Sequence, residues 1–141
     1  MASKEIIEQV RRDFEFLKPR VLGVLLFGSQ VRGDVVRGDI DICIVAPGQD
    51  KVKLLFEVFE KVDVYGKRYD VYVFEELPLY MRFEVIENHE LVLSKDSPEL
   101  YEYLYFYRKL LEDARKVVAP DTTSIIEVAT VSTSMMDVVS G

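Results

Sequence analysis

Asp39 and Asp41 flank Ile40 in the segment Gly38-Asp39-Ile40-Asp41-Ile42-Cys43-Ile44. Acidic and apolar residues alternating in this way read as a strand with one apolar face. Side chains at i and i+2 point the same way, so two carboxylates about 7 Å apart share one side while Ile40, Ile42 and Ile44 pack on the other. Two such anions repel, and a dry site raises the pKa of one of them. A divalent cation relieves the repulsion. Magnesium takes oxygen ligands, usually one or two carboxylates plus phosphate oxygens. Upstream, in Leu25-Leu26-Phe27-Gly28-Ser29-Gln30-Val31-Arg32-Gly33, a Gly-Ser pair breaks an apolar run. Glycine lets the backbone approach a phosphate, and a helix opening there aims free N–H groups and its positive dipole end at it. Ser29 adds a hydroxyl, and Arg32, one turn on, is placed to neutralise further phosphate charge. Asp70, between Tyr69 and Val71, is the candidate third ligand. Metals bridging such carboxylates to a triphosphate orient an in-line attack, so the chemistry is phosphoryl or nucleotidyl transfer.

Each of these residues also has a plainer use. Asp39 and Asp41 would serve as surface acids on an exposed strand edge, Asp70 as the ion-pair partner of Arg68 on the same strand face, and Arg32 as an ordinary helix-surface cation. The Gly-Ser break upstream favours metal ligation for Asp39, Asp41 and Asp70. His89, beside Asn88, reads as a cation at a helix end. Cys43 shares the face of Asp41 but lies deeper in an apolar strand, and reads as packing.

The elements that must position these groups follow from periodicity. Ile6, Ile7, Val10, Phe14 and Leu17 fall at helical spacing over residues 4–17, and Pro19 stops the helix. Residues 21–27 form a buried strand, and residues 39–46 a second that ends at Pro47-Gly48. Val52, Leu55, Phe56, Phe59 and Val62 mark an amphipathic helix over 50–64. A third strand covers 69–74, a helix 78–88 and a short strand 91–93. Ser97-Pro98, read as an N-cap followed by proline, opens a helix that runs to about residue 117. On that helix Leu100, Leu104, Tyr107, Leu111, Ala114 and Val118 make the apolar face. Tyr101 and Tyr105 fall opposite, as exposed rings or as a partner-contact patch. The expected class is α/β, a small mixed β-sheet flanked by helices, with one domain over 1–117. Residues 118–141 are poor in charge and rich in Ser, Thr and Val; Ile125–Val131 has strand character, and the segment stays unassigned.

The chain has 141 residues, a formal charge of −7, one cysteine and one histidine. A lone cysteine forms no internal disulfide and no Cys-rich zinc site. No apolar run reaches the roughly 18 residues of a membrane span, and the N-terminus lacks the apolar stretch of a secretory signal, so a cytoplasmic protein is expected. Binders of long nucleic acids usually carry a basic footprint, and none is visible. The acidic balance favours a small-molecule or protein acceptor.

Taken together, Gly28-Ser29, the spacer, Asp39-x-Asp41 and the later Asp70 resemble the polymerase-β-like nucleotidyltransferase superfamily, over roughly residues 5–115. In length the chain is similar to the minimal nucleotidyltransferases, including the antitoxin partners of HEPN-type toxins. The resemblance implies a mixed sheet flanked by helices, with Gly28 and Ser29 holding the triphosphate of an NTP such as ATP. It implies two Mg2+ ions on Asp39 and Asp41, joined by Asp70, which can also activate the acceptor hydroxyl. Gly38 departs from the serine often found before the first Asp. The expected function is transfer of an NMP from an NTP to an acceptor hydroxyl, with a tyrosine of a HEPN toxin as a candidate acceptor. A second copy of this chain is a further candidate partner. Two other readings remain open at this point. One is a non-catalytic antitoxin that works by binding alone. The other is a small-molecule nucleotidyltransferase of the aminoglycoside type, against which the lack of a visible substrate domain argues. Substitution of Asp41 separates enzyme from binder.

Overall fold

The structure is a computed structural model and describes residues 2–28, 31 and 38–117. Four strands, β1 (Gly23–Phe27), β2 (Ile40–Val45), β3 (Tyr69–Val73) and β4 (His89–Leu93), pair in the order β3-β2-β1-β4. β1 runs antiparallel to β2 and β4, whereas β2 and β3 are parallel. A parallel pair needs a crossover, and helix α2 (Lys51–Lys61) supplies it. The sheet is therefore mixed, as expected from the sequence.

Alternation along the strands separates two apolar layers. On one face Val24, Leu26, Ile42 and Ile44 pack with Val10 and Phe14 of α1 (Lys4–Phe14) and with Leu54 and Val58 of α2. On the other, Leu25, Phe27, Cys43 and Val45 meet Val85 of α3 (Leu79–Glu87) and Leu100 and Leu104 of α4 (Ser97–Val117). Helix starts are capped where side chains offer oxygen. Ser3 accepts from the Ile6 N–H at 3.2 Å, and Asp50 from Val52 at 3.0 Å and Lys53 at 3.2 Å.

Two local expectations are corrected. On α2 the core side is formed by Leu54 and Val58, joined by the expected Val62 and partly by Leu55, while Val52, Phe56 and Phe59 are 64%, 65% and 51% exposed. Two apolar stripes about 150° apart run along this helix, and packing on the sheet selects the aliphatic one. The N-cap of α4 is Asp96 instead of Ser97. Its carboxylate accepts the Glu99 N–H at 3.1 Å and its carbonyl the Leu100 N–H at 3.1 Å. Along α4, Leu100 and Leu104 of the expected face are buried, Tyr107 and Leu111 are half-buried and Ala114 is exposed, while Tyr101 and Tyr105 are exposed as expected. Val118 and the strand reading of Ile125–Val131 lie outside the described residues.

A polar network beneath the α3–α4 layer was not apparent in the sequence. Glu75 accepts the Ala46 N–H at 3.0 Å and the Tyr103 hydroxyl at 2.7 Å, tying the end of β2 to α4. Buried Arg82 donates to the carbonyls of Leu77 and Glu75 at 2.8 and 2.7 Å, its guanidinium 5.2 Å from the Tyr107 ring centre. Among the described residues no helix is long and apolar enough to cross a membrane.

Candidate active site

Strand register brings the acids together. In the β2–β3 pair Asp41 stands opposite Asp70, and in the β1–β2 pair Asp41 stands opposite Phe27. Neighbouring strands lie about 4.8 Å apart, so Asp70, Asp41 and Phe27 form one row across the sheet. Directly paired residues share a face, here the face of Cys43 and Tyr72. Asp39, one residue before β2, projects to the same side at the strand mouth and is exposed. The chain at β3 is fixed to β2 from its first residue, because the Ile40 N–H donates to the Arg68 carbonyl at 2.9 Å.

Asp70 and Tyr72 feel the neighbouring acids. The Asp70 carboxyl is pushed above the usual carboxylate range, first by burial, then by the charge of Asp39 and a hydrogen bond with it. The Tyr72 hydroxyl is pushed up by burial and then by the charges of Asp41, Asp70 and Asp39, so a single phenol senses all three acids. Cys43, two residues below Asp41, is fully buried and its thiol is held well up by that burial, in keeping with a packing role.

Gly28 completes the described part of the site. Its φ of +77° is a backbone conformation that L side chains rarely adopt, and a Cβ there would collide with Asp41 Oδ2 and lie 3.1 Å from Asp41 Cγ. Glycine thus brings the turn after β1 directly against a carboxylate of the row. Ser29 and Arg32, the other candidate phosphate contacts, lie outside the described residues.

Arg68 does something the sequence did not indicate. It lies in the turn just before β3 and so does not share Asp70's strand face, and its Nε donates to Asp39 Oδ1 at 3.2 Å. Among the described residues no three His, Cys, Asp or Glu side chains stand ready-arranged around a metal position. The donor chemistry nonetheless suits a hard divalent ion: three carboxylates on one rim beside a glycine that leaves room. His89 is the helix-end group the sequence suggested, its Nδ1 2.8 Å from the Val85 carbonyl of α3 and its Nε2 3.1 Å from the Tyr101 hydroxyl.

Comparison with known proteins places this geometry in context. Residues 7–92 match the family model described as nucleotidyltransferase domain. A protein of Methanocaldococcus jannaschii named "Putative protein adenylyltransferase MJ1547" is 42% identical over 98 residues, which is 69% of this chain and 75% of the relative. Among solved structures, a chain from a toxin–antitoxin crystal structure with AMP-PNP superposes with a TM-score of 0.61 at 17% identity, covering 83% of this chain and 98% of that one. A chain from the complex of a tri-AMPylated Shewanella oneidensis HEPN toxin with MNT antitoxin gives 0.53 at 15% identity, covering 83% and 95%. At these identities the two structures speak for the fold.

Proposed function

This chain belongs to the nucleotidyltransferase domain family, and from that premise we propose that it transfers AMP from ATP to a tyrosine hydroxyl of a HEPN-type toxin, acting as the toxin's antitoxin. One observation carries the site assignment: strand register sets Asp41 beside Asp70 while Gly28 closes on Asp41 from the other side. The relative's name supports a protein acceptor and adenylyl transfer, and the solved toxin–antitoxin complexes support a HEPN partner. A charge of −7 agrees with an acceptor other than a long nucleic acid.

Asp39, Asp41 and Asp70 would hold two Mg2+ ions, which supply charge neutralisation of the triphosphate and of the phosphorus centre under attack. The remaining roles fall to the chain itself. Gly28, without a side chain, leaves the phosphate path open, and Ser29 donates its hydroxyl to a phosphate oxygen. Asp70 takes the proton of the acceptor tyrosine as its oxygen bonds to the α-phosphorus. The bond from that phosphorus to the bridging oxygen breaks, and pyrophosphate leaves.

The test is incubation with α-labelled ATP, Mg2+ and a HEPN-type partner. Label is expected on a tyrosine of the partner, and Asp41→Asn should abolish it. If Asp41→Asn protects against the toxin as well as the unaltered chain does, the protein neutralises by binding alone and the enzymatic reading fails.

A further inference from the structure

Arg68 combines two features that packing does not require. Its φ is +58°, the one positive value on a non-glycine among the described residues, although Gly66 sits two positions earlier in the same turn with an ordinary φ. The conformation is held by the turn around it. The Gly66 N–H donates to Asp63 Oδ1 at 3.0 Å, the Arg68 N–H to the Tyr65 carbonyl at 3.2 Å, and the Arg68 carbonyl receives the Ile40 N–H at 2.9 Å. A left-handed residue of this kind carries strain that the surroundings must impose, and such residues gather at functional sites. The second feature is what the side chain reaches. The side chain is 58% exposed, and its Nε meets Asp39 Oδ1 at 3.2 Å. Asp39 is the acid whose charge and hydrogen bond raise Asp70.

We infer that Arg68 is a cation latch: it occupies Asp39 until a divalent ion displaces it, and ion entry and guanidinium release are one exchange. This deepens the proposed function and rests on its assignment of Asp39 as a metal ligand. The electrostatics make the exchange cheap in both directions. The pair is solvent-exposed, so it is worth little and yields to a divalent charge, yet without that charge it offsets part of the repulsion among three carboxylates.

Two readouts test the latch without reference to turnover. In the first, Mg2+ is titrated into labelled protein and the Arg68 Nε–H resonance is followed by NMR, assigned by its loss in Arg68→Lys. It should shift away from its metal-free position with the same midpoint as Mg2+ binding. In Asp39→Asn it should already be shifted in that direction before any metal is added. In the second, Mn2+ binding is measured by electron paramagnetic resonance. Arg68→Ala keeps the left-handed backbone's cost while removing the guanidinium, and should bind Mn2+ about two- to fivefold more tightly. Asp41→Asn serves as the control for the site. An Arg68 signal unmoved at saturating Mg2+, or Mn2+ affinity unchanged in Arg68→Ala, overturns the latch while leaving the metal site standing. Failure of the unaltered chain to bind Mn2+, or binding by Asp41→Asn equal to it, removes the metal site and the latch with it.

Discussion

A single carboxylate shows how the site's demands and the fold's stability pull apart. Asp70 is raised above the ordinary range by burial and by Asp39, so it binds its proton more tightly in the folded chain than in the unfolded one. Its effect on the metal-free fold is therefore least adverse below the unfolded carboxylate pKa, and stability is lost as pH rises through the raised folded value. Asp70→Asn should raise the Tm of metal-free protein at neutral pH and leave it nearly unchanged at strongly acid pH, measured by calorimetry in chelator. The same substitution should abolish transfer. Gly28→Ala makes the opposite trade. It places a methyl group into Asp41 at a φ of +77°, and a loss of about 1–3 kcal/mol in chemical denaturation is expected, with transfer activity falling further still. The spacing of Asp39 and Asp41 was legible because a strand's period of two fixes which side chains share a face. The choice of Arg68 between Asp70 and Asp39 was not legible, because it depends on a backbone angle that a residue's identity does not encode.

At the scale of elements, periodicity located the four α-helices and four strands of the described residues, with β4 starting two residues earlier than expected and the 3-10 turn at Phe74–Glu76 unforeseen, and it failed where a helix offered two answers. On α2 either stripe satisfied a helical repeat, and only the shape of the sheet beneath favours Leu54 and Val58 over Phe56 and Phe59. The start of α4 was ambiguous for a similar reason, since Asp96 and Ser97 are both good caps. Asp96→Ala should cost about 1 kcal/mol of stability and Ser97→Ala a few tenths at most, a difference that urea denaturation resolves. The Glu75 network was invisible because its members, Ala46, Glu75 and Tyr103, are far apart in sequence. Tyr103→Phe leaves one Glu75 oxygen without its 2.7 Å donor and should destabilise the chain by about 1–3 kcal/mol, again by urea denaturation. Tyr101 and Tyr105 were expected to be outside the core and are 42% and 60% exposed, so replacing both with Ala should shift the Tm of the isolated chain only slightly.

For the molecule as a whole, the crossover through α2 sets the order in which chemistry is assembled. Asp41 meets Asp70 across a parallel pair, and of the described strands β3 has only β2 as a neighbour. One acid of the site therefore rides on the border of the sheet, held by a single ladder. Helix α1 braces that border from the opposite face. The Tyr69 hydroxyl donates to Asp13 Oδ2 at 2.5 Å and receives Gln9 Nε2 at 2.9 Å, while Lys67 Nζ reaches both Asp13 oxygens at 2.8 Å. Local opening of a border strand requires less free energy than global unfolding. Catalysis is therefore expected to fail at a lower temperature than the fold. On heating, transfer activity should decay while circular dichroism still reports a native sheet, and amide exchange should be faster along Tyr69–Val73 than along β1. Tyr69→Phe removes the brace without emptying the core and should widen that gap, producing a chain that remains folded at temperatures where it no longer works.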